Sequence, residues 1–579
     1  MFLYLRTLTN IYARNCLLTA GFFLLTGTVQ AQRLDAIGNS QPVKVTGGVG
    51  LDQVLYFASG QEGRRDPYNF FLNGNINFDI YGWSVPFSFS YSNQGRVSFS
   101  QPFNQYGLTP TYKWITGHLG YSSMNFSGYT LGGHMFNGVG VDLAPPGNFK
   151  VSAMYGRLQR GVAADTLNRS IEPAYKRMGY GVKVSYGAKK DNLDLIIFRA
   201  KDEANSIPPL SEGYTLTPQD NLALGLNFSK QLFGRLLVTG EIATSTLTRD
   251  TRAVKDSGTS VKVPTLGLLQ KNSTTALYHA YKTGISYSGR GYAIGLGYEW
   301  VAPEYKTLGA YYFTNDFENI TANVQFQALQ QKLTANVNGG VQRNNLHNDK
   351  LSTMRRWVGA LNLNYVASKK LNLSFSYSNF QAYVNIRSDF DYINQVTPYE
   401  NLDTLNYTQI SQNASLSANY NISRTKDKSQ VLSTNVSMMK SADMQGGVKQ
   451  NTGVTFYNLN MMYSVQLVPR NMSVNFGLNA NRNNSANLSS TTFGPTLGAN
   501  KSFLDKKLRS SGSVSWNGSF ANGQNVNKVL TARVTNAYTV KKSHSFNLSI
   551  AMINRQAVTR GNSRNMNELT STLGYNYNF

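Results

Sequence analysis

The chain has 579 residues, a net charge of +25 and one cysteine, with 35 Tyr and 30 Phe but only 15% charged residues. Charge this sparse is unusual for a soluble enzyme of such length. A single cysteine leaves no intrachain disulfide and no cysteine-built zinc site.

Residues 1–31 read as a secretory signal peptide, with 32–579 as the mature chain. Arg6 and Arg14 make a basic start, and no acidic residue precedes Asp35. An apolar run from Cys16 to Val29 leads to Val29-Gln30-Ala31, a small-x-small site that predicts cleavage between Ala31 and Gln32. Cys16 opens that run instead of ending it, and Arg14-Asn15 is no lipobox, so no lipoprotein is expected. Removing Arg6 and Arg14 takes the charge from +25 to +23. The remaining basic residues are dispersed on an exported chain, which sets nucleic-acid binding aside.

No segment after the signal approaches the run of about 18 apolar residues that reads as a membrane-crossing helix. Alternation appears instead. Ile76, Phe78 and Ile80 alternate with polar residues, and Val85, Phe87, Phe89 and Tyr91 repeat the pattern. Further along, Leu371, Leu373, Phe375 and Tyr377 alternate with Asn372, Ser374 and Ser376. The same period runs through Tyr457, Leu459, Met461, Tyr463, Val465 and Leu467, and through Phe546, Leu548, Ile550 and Met552. One apolar and one polar face per strand, over lengths of about 9–11 residues, is the pattern of a tilted strand crossing a bilayer.

Short connections such as Lys189-Lys190, Phe233-Gly234, Pro469-Arg470-Asn471 and Lys541-Lys542 alternate with long ones at 94–111, 159–175, 202–219, 249–274 and 384–404. Bacterial barrels put short turns in the periplasm and long loops outside. The expectation is therefore all-β: one large antiparallel transmembrane barrel of about 22–26 strands. Both termini would be periplasmic, and no N-terminal plug domain is expected, since few residues lie between Gln32 and Val43. Two stretches resist placement. Asn137-Gly138 in 128–144 has the chemistry of a hairpin turn, and 305–317 fits no strand.

The chain closes on Leu573, Tyr575, Tyr577 and Phe579, one aromatic face ending at a terminal Phe. This resembles the C-terminal recognition strand of Gram-negative outer-membrane barrels. The Ala31-Gln32 junction and the Asn/Tyr-rich strands resemble barrels of the Bacteroidota. The resemblance implies the barrel-assembly machinery as a partner in biogenesis, and outer-membrane lipid and lipopolysaccharide as surroundings.

The histidines His118, His134, His279, His347 and His544 show no metal-ligand spacing, and neither a nucleophile elbow nor a phosphate-binding loop occurs. No enzyme activity, cofactor or metal is expected. Strand-borne cations are the candidate lumen charges: Lys183, Arg199, Arg355, Arg356 and Arg533. A barrel of this size left open would breach the envelope, so loops 202–219, 249–274 and 384–404 are candidate constrictions. Three functions fit: a porin-like channel for small polar or anionic solutes, a barrel component of a secretion or envelope-assembly complex with a partner in the periplasm, and a surface adhesin or receptor.

Overall fold

The computed structural model describes residues 43–60, 65–93, 104–164, 172–188, 190–210, 214–254, 264–311, 314–348, 355–379, 409–445, 448–449, 453–485, 489–541, 543–559 and 562–579. The signal-peptide junction at Ala31 and Gln32 and the loop 384–404 lie outside the described residues.

Each strand pairs antiparallel with the next in the chain, and the last pairs with the first. Among the described residues there are 28 strand segments. Gln105–Leu108 and Thr111–Tyr112 are two pieces of one strand between the same neighbours. Val448–Lys449 is a two-residue ribbon at a hairpin tip. Together these leave 26 staves, the top of the expected range. The sheet closes where Val43–Ser59 meets Asn562–Asn578, with Leu51 opposite Tyr575 and Gln53 opposite Leu573. Gly47 and Phe579 exchange both backbone hydrogen bonds at 3.0 and 2.9 Å. Antiparallel closure leaves no unpaired edge.

Register shows which residues share a face. Leu193, Leu195 and Ile197 lie opposite Tyr186, Val184 and Val182. Leu195 is 55% exposed and Tyr186 63%, so this face looks outward. Leu296, Ile320, Leu497 and Val514 are likewise exposed. Aromatic side chains stand near both strand ends. Phe149, Tyr186, Tyr287, Tyr292 and Phe546 are exposed beside the short turns, and Tyr106, Trp357, Tyr457 and Phe493 toward the long loops. A closed sheet with an apolar belt between aromatic girdles is built for lipid contact.

The inner face differs between two arcs. From Arg355 to Asn578 it is lined by hydrogen-bonded polar pairs: Ser374 with Asn364 at 2.8 Å, Ser376 with Ser415 at 2.6 Å, Asn435 with Ser417 at 2.7 Å, and Thr492 with Ser519 at 2.8 Å. From Ile115 to Asn344 the inner wall is mixed: toward the long loops it carries buried apolar residues, among them Phe136, Met154, Phe198, Ala223 and Ala280, and elsewhere polar and charged ones such as His118, Asp142, Lys183 and Glu241. Asn137 and Gly138, the expected turn, lie within one unbroken strand, Gly132–Leu143. Their neighbours on both sides extend past them, so pairing overrides the local turn propensity.

The two faces should respond oppositely to charge. Leu296→Arg should cost about 2–4 kcal/mol of folding stability in a bilayer, whereas Asn364→Arg, on the inner face, should change it little. Urea unfolding of liposome-inserted protein, followed by the gel-mobility shift of folded barrels, measures both.

Candidate functional site

The covered arc is where the molecule departs from a plain barrel. Two segments at the long-loop end turn back against the inner wall. The first, 126–131, follows a bulge at Ser123–Asn125 that breaks the register and redirects the chain. It folds into a tight loop in which the Phe126 N–H bonds the Leu131 carbonyl at 2.9 Å. The second is 302–316, between the strands Tyr292–Val301 and Phe317–Ala328. It meets the first through a parallel bridge, Leu131 to Gly309, and the Gly132 N–H donates to the Gly309 carbonyl at 2.9 Å.

A segment without ladder partners must satisfy its backbone by other means. Tyr305 donates its hydroxyl to the Tyr129 carbonyl at 2.7 Å, and Thr307 donates to the Thr130 carbonyl at 2.6 Å. The wall supplies the rest. Asn221, wholly buried, accepts from the Leu308 N–H at 3.0 Å and donates to Ser245 at 2.7 Å. Ser245 in turn donates to the Lys306 carbonyl at 2.6 Å. At the rim, Asp316 accepts from the backbone N–H groups of Asn345 and Leu346 at 3.1 and 2.9 Å.

The apolar contacts are equally complete. Leu131, Leu308 and Phe126 pack with Phe136, Phe198 and Ile196 in one cluster. Tyr129 and Tyr305 pack with Ala243, Ala280 and Val301 in another. The wall makes room with small residues. A Cβ on Gly181 of the wall would stand 2.8 Å from the Phe126 ring, and on the inward segment itself one on Gly309 would stand 2.4 Å from the Thr130 carbonyl. Ala200, Ala223, Ala243 and Ala280 occupy the corresponding inward positions on the following strands and are buried.

A charged row lies beside the docked segments. Glu241, Lys282 and Glu299 are directly opposite one another on three successive strands. Tyr129 donates to Glu299 at 2.5 Å, and Lys282 stands 3.9 Å from the same carboxylate.

Among the expected lumen charges, Lys183 is on the inner face. Its ammonium donates to the Asn125 carbonyl at 3.1 Å and stands 5.6 Å from the Phe126 ring centre, so it pins the root of the first segment. Arg533 is also inward, opposite Ser513 and the buried Ala551. Arg199 and Arg355 depart from the expectation. Arg199 shares the outward face of Leu195 and Ile197 near the long-loop end, where it pairs with Asp220 at 2.7 Å and the Tyr180 hydroxyl at 3.3 Å. Partnering makes an outward cation tolerable there. Arg355 shares the outer face of Trp357, at a strand end. Arg356 lies opposite Gln342 in register; its side chain is outside what the structure describes. Leu573 and Phe579 are exposed on the outer face, and Tyr575 bonds His544 at 2.8 Å.

Among the described residues, the segments that pack against the inner wall are 126–131 and 302–316; of the three loops expected to enter, 384–404 lies outside the described residues. At the base of 202–219, Asp202 and Gln219 close the loop through bonds of 2.8 and 3.0 Å. The described part of 249–274 is likewise tied at its base, where Asn272 donates to the Asp250 carbonyl at 2.7 Å. These bonds fix the bases of both loops. Among the described residues no group of three or more His, Cys, Asp or Glu could hold a metal ion.

The chain matches no protein-family model, and no curated protein matches it. Solved structures are similar at low identity. The P pilus usher (PapC) translocation pore is 12% identical, covering 92% of this chain and 99% of that one at a TM-score of 0.38. OccAB2 of Acinetobacter baumannii is 9% identical, covering 63% and 92% at 0.28. The ferric enterobactin receptor (PfeA) from Pseudomonas aeruginosa is 10% identical, covering 93% and 81% at 0.41. Scores this low carry no inference about cargo.

The docking of 302–316 is testable at the wall. Ala223→Leu overpacks a fully buried site, at a cost of about 1–3 kcal/mol. The expected result is release of the segment with the barrel intact: faster proteolysis within 302–316 and an unchanged gel-mobility shift.

Proposed function

We propose that this chain is an outer-membrane channel of the Gram-negative, Bacteroidota type, passing small polar or anionic solutes through a lumen narrowed by 126–131 and 302–316. The observation that carries this reading is the contrast between arcs. One side of the lumen carries two segments docked on the wall through hydrogen bonds such as Tyr305 to the Tyr129 carbonyl and the Leu308 N–H to Asn221, while the other is lined with Asn, Ser and Thr. A polar wall facing a built constriction selects by size and charge, and no chemical step is needed.

The remaining features fit around this. The apolar outer belt takes lipid and lipopolysaccharide. The short turns and both termini face the periplasm, as in bacterial barrels generally. The N-terminal signal is cleaved between Ala31 and Gln32, and the strand carrying Leu573, Tyr575, Tyr577 and Phe579 is what the barrel-assembly machinery receives.

Planar-bilayer recording tests the channel. The folded protein should give stable conductance steps, with a reversal potential in a salt gradient that favours anions. Replacing 303–315 by a short Gly-Ser linker should enlarge the steps, and Arg533→Glu should move the reversal potential toward cations. Silence from both the parent and the linker variant sinks the channel reading. It would favour a barrel that works within a secretion or envelope-assembly complex, to be sought by copurification.

A further inference from the structure

The inward segment 302–316 also forms the floor of a cavity of about 330 Å³ at the long-loop end, bounded by Gln219, Arg249, Glu304, Lys306, Tyr311 and Asn315. This is the lower size range of small-ligand pockets. Its charges are unevenly satisfied. Arg249 pairs with Glu304 and bonds the Tyr278 hydroxyl at 2.6 Å. Arg177, close enough to repel Lys306, is held by Asp202 through two bonds of 2.7 and 3.1 Å. Lys306 has only the amide oxygen of Gln219, at 3.0 Å, and among the described residues no carboxylate pairs with it.

Water reaches the Lys306 side chain, but the surrounding wall excludes much of the bulk solvent. That crowding comes first in holding its amine below the ordinary lysine value. Repulsion from Arg177 follows, then an opposing pull from Asp202, then repulsion from Arg249. A cation held among like charges, with water on one side only, is stabilised by an incoming anion. Beside it Tyr311, 48% exposed, is stacked on His134 with ring centres 3.9 Å apart and planes 21° from parallel. Tyr311 and Lys306 both line the cavity, and the stacking on His134 holds the Tyr311 ring in place.

We infer that this cavity is a binding subsite for a small organic anion, in which Lys306 takes a carboxylate or phosphate group and Tyr311 meets the face of a body of monosaccharide size. The inference deepens the channel reading and rests on it for its purpose: anionic solutes would pause here on entry from the long-loop side. The binding itself requires only the folded barrel.

The experiment uses the full mature barrel folded in nanodiscs, with glucuronate as anionic probe, glucose as its neutral counterpart and inorganic phosphate as the bare anion. Amine acylation at each lysine is followed by mass spectrometry. The expected result is several-fold protection of Lys306 by millimolar glucuronate, weaker protection by phosphate and none by glucose. Lys332, exposed at a short turn, serves as the unprotected control. Calorimetric heats of glucuronate binding should vanish in Lys306→Gln and persist in Lys306→Arg. Phosphate protecting as well as glucuronate would remove the Tyr311 part of the proposal. Protection by glucose equal to that by glucuronate, or none by either anion, overturns the subsite. Conductance of the same preparation separates the two readings. A conducting barrel with Lys306 unprotected keeps the channel and loses the subsite, and a silent barrel with Lys306 protected does the reverse.

Discussion

Inside a hydrocarbon layer an N–H or C=O without a partner has no water to bond, and each one left open costs several kcal/mol. The seam between Val43–Ser59 and Asn562–Asn578 is where that demand is met last. Every other strand has two neighbours close by in the chain, but these two reach each other only after the whole circle is made. The Gly47–Phe579 bonds finish the row at the short-turn end. The same demand governs the inward segments. They lack a full ladder, so beside the backbone bonds between them several carbonyls and amides are matched by side chains: Tyr305, Thr307, Asn221 and Ser245.

Closure also decides what a strand-borne charge can do. An inward cation can find partners inside the barrel, as Lys183 does in the Asn125 carbonyl and the Phe126 ring. An outward one must be near an end and neutralised. Arg199 meets both conditions through Asp220 and Tyr180. So does Arg343, paired with Glu318 on the outer face one register step from the exposed Ile320, with the Tyr298 hydroxyl on the same carboxylate. The outer face of this arc thus carries these ion pairs near the rim, with exposed apolar side chains such as Leu195, Leu296 and Ile320 below them.

Alternation made the barrel legible because lipid on one side and water on the other impose a period of two on every stave. It could not show the docked segments, whose partners lie several strands away. Yet a trace was present. Where the strands of the other arc place Asn, Ser or Thr inward, this arc places Gly179, Gly181, Ala223, Gly225, Ala243 and Ala280. Inward positions that are small instead of polar mark a wall that something covers. The inability of 305–317 to fit a strand was the complementary sign. Arg199 and Arg355 stand outward because a strand-borne charge is tolerated near the interface as well as in the lumen, and alternation alone does not separate the two places. Position along the strand matters as much as parity.

The small inward residues also explain why the constriction is one-sided. A segment can lie against a sheet only where the side chains beneath it are short enough to admit its backbone. The inner wall offers that surface from about Gly179 to Val301 and nowhere in the polar arc described here. On that arc Asn435, Ser417, Ser376 and Ser415 already bond one another across the strands, and covering them would bury polar groups that now face the lumen. Each arc is thereby committed, one to carrying the inward segments and the other to lining the path past them. Lys306 sits on the segment side with its ammonium on the Gln219 amide oxygen, the least-paired cation of the cavity that the segment helps to bound.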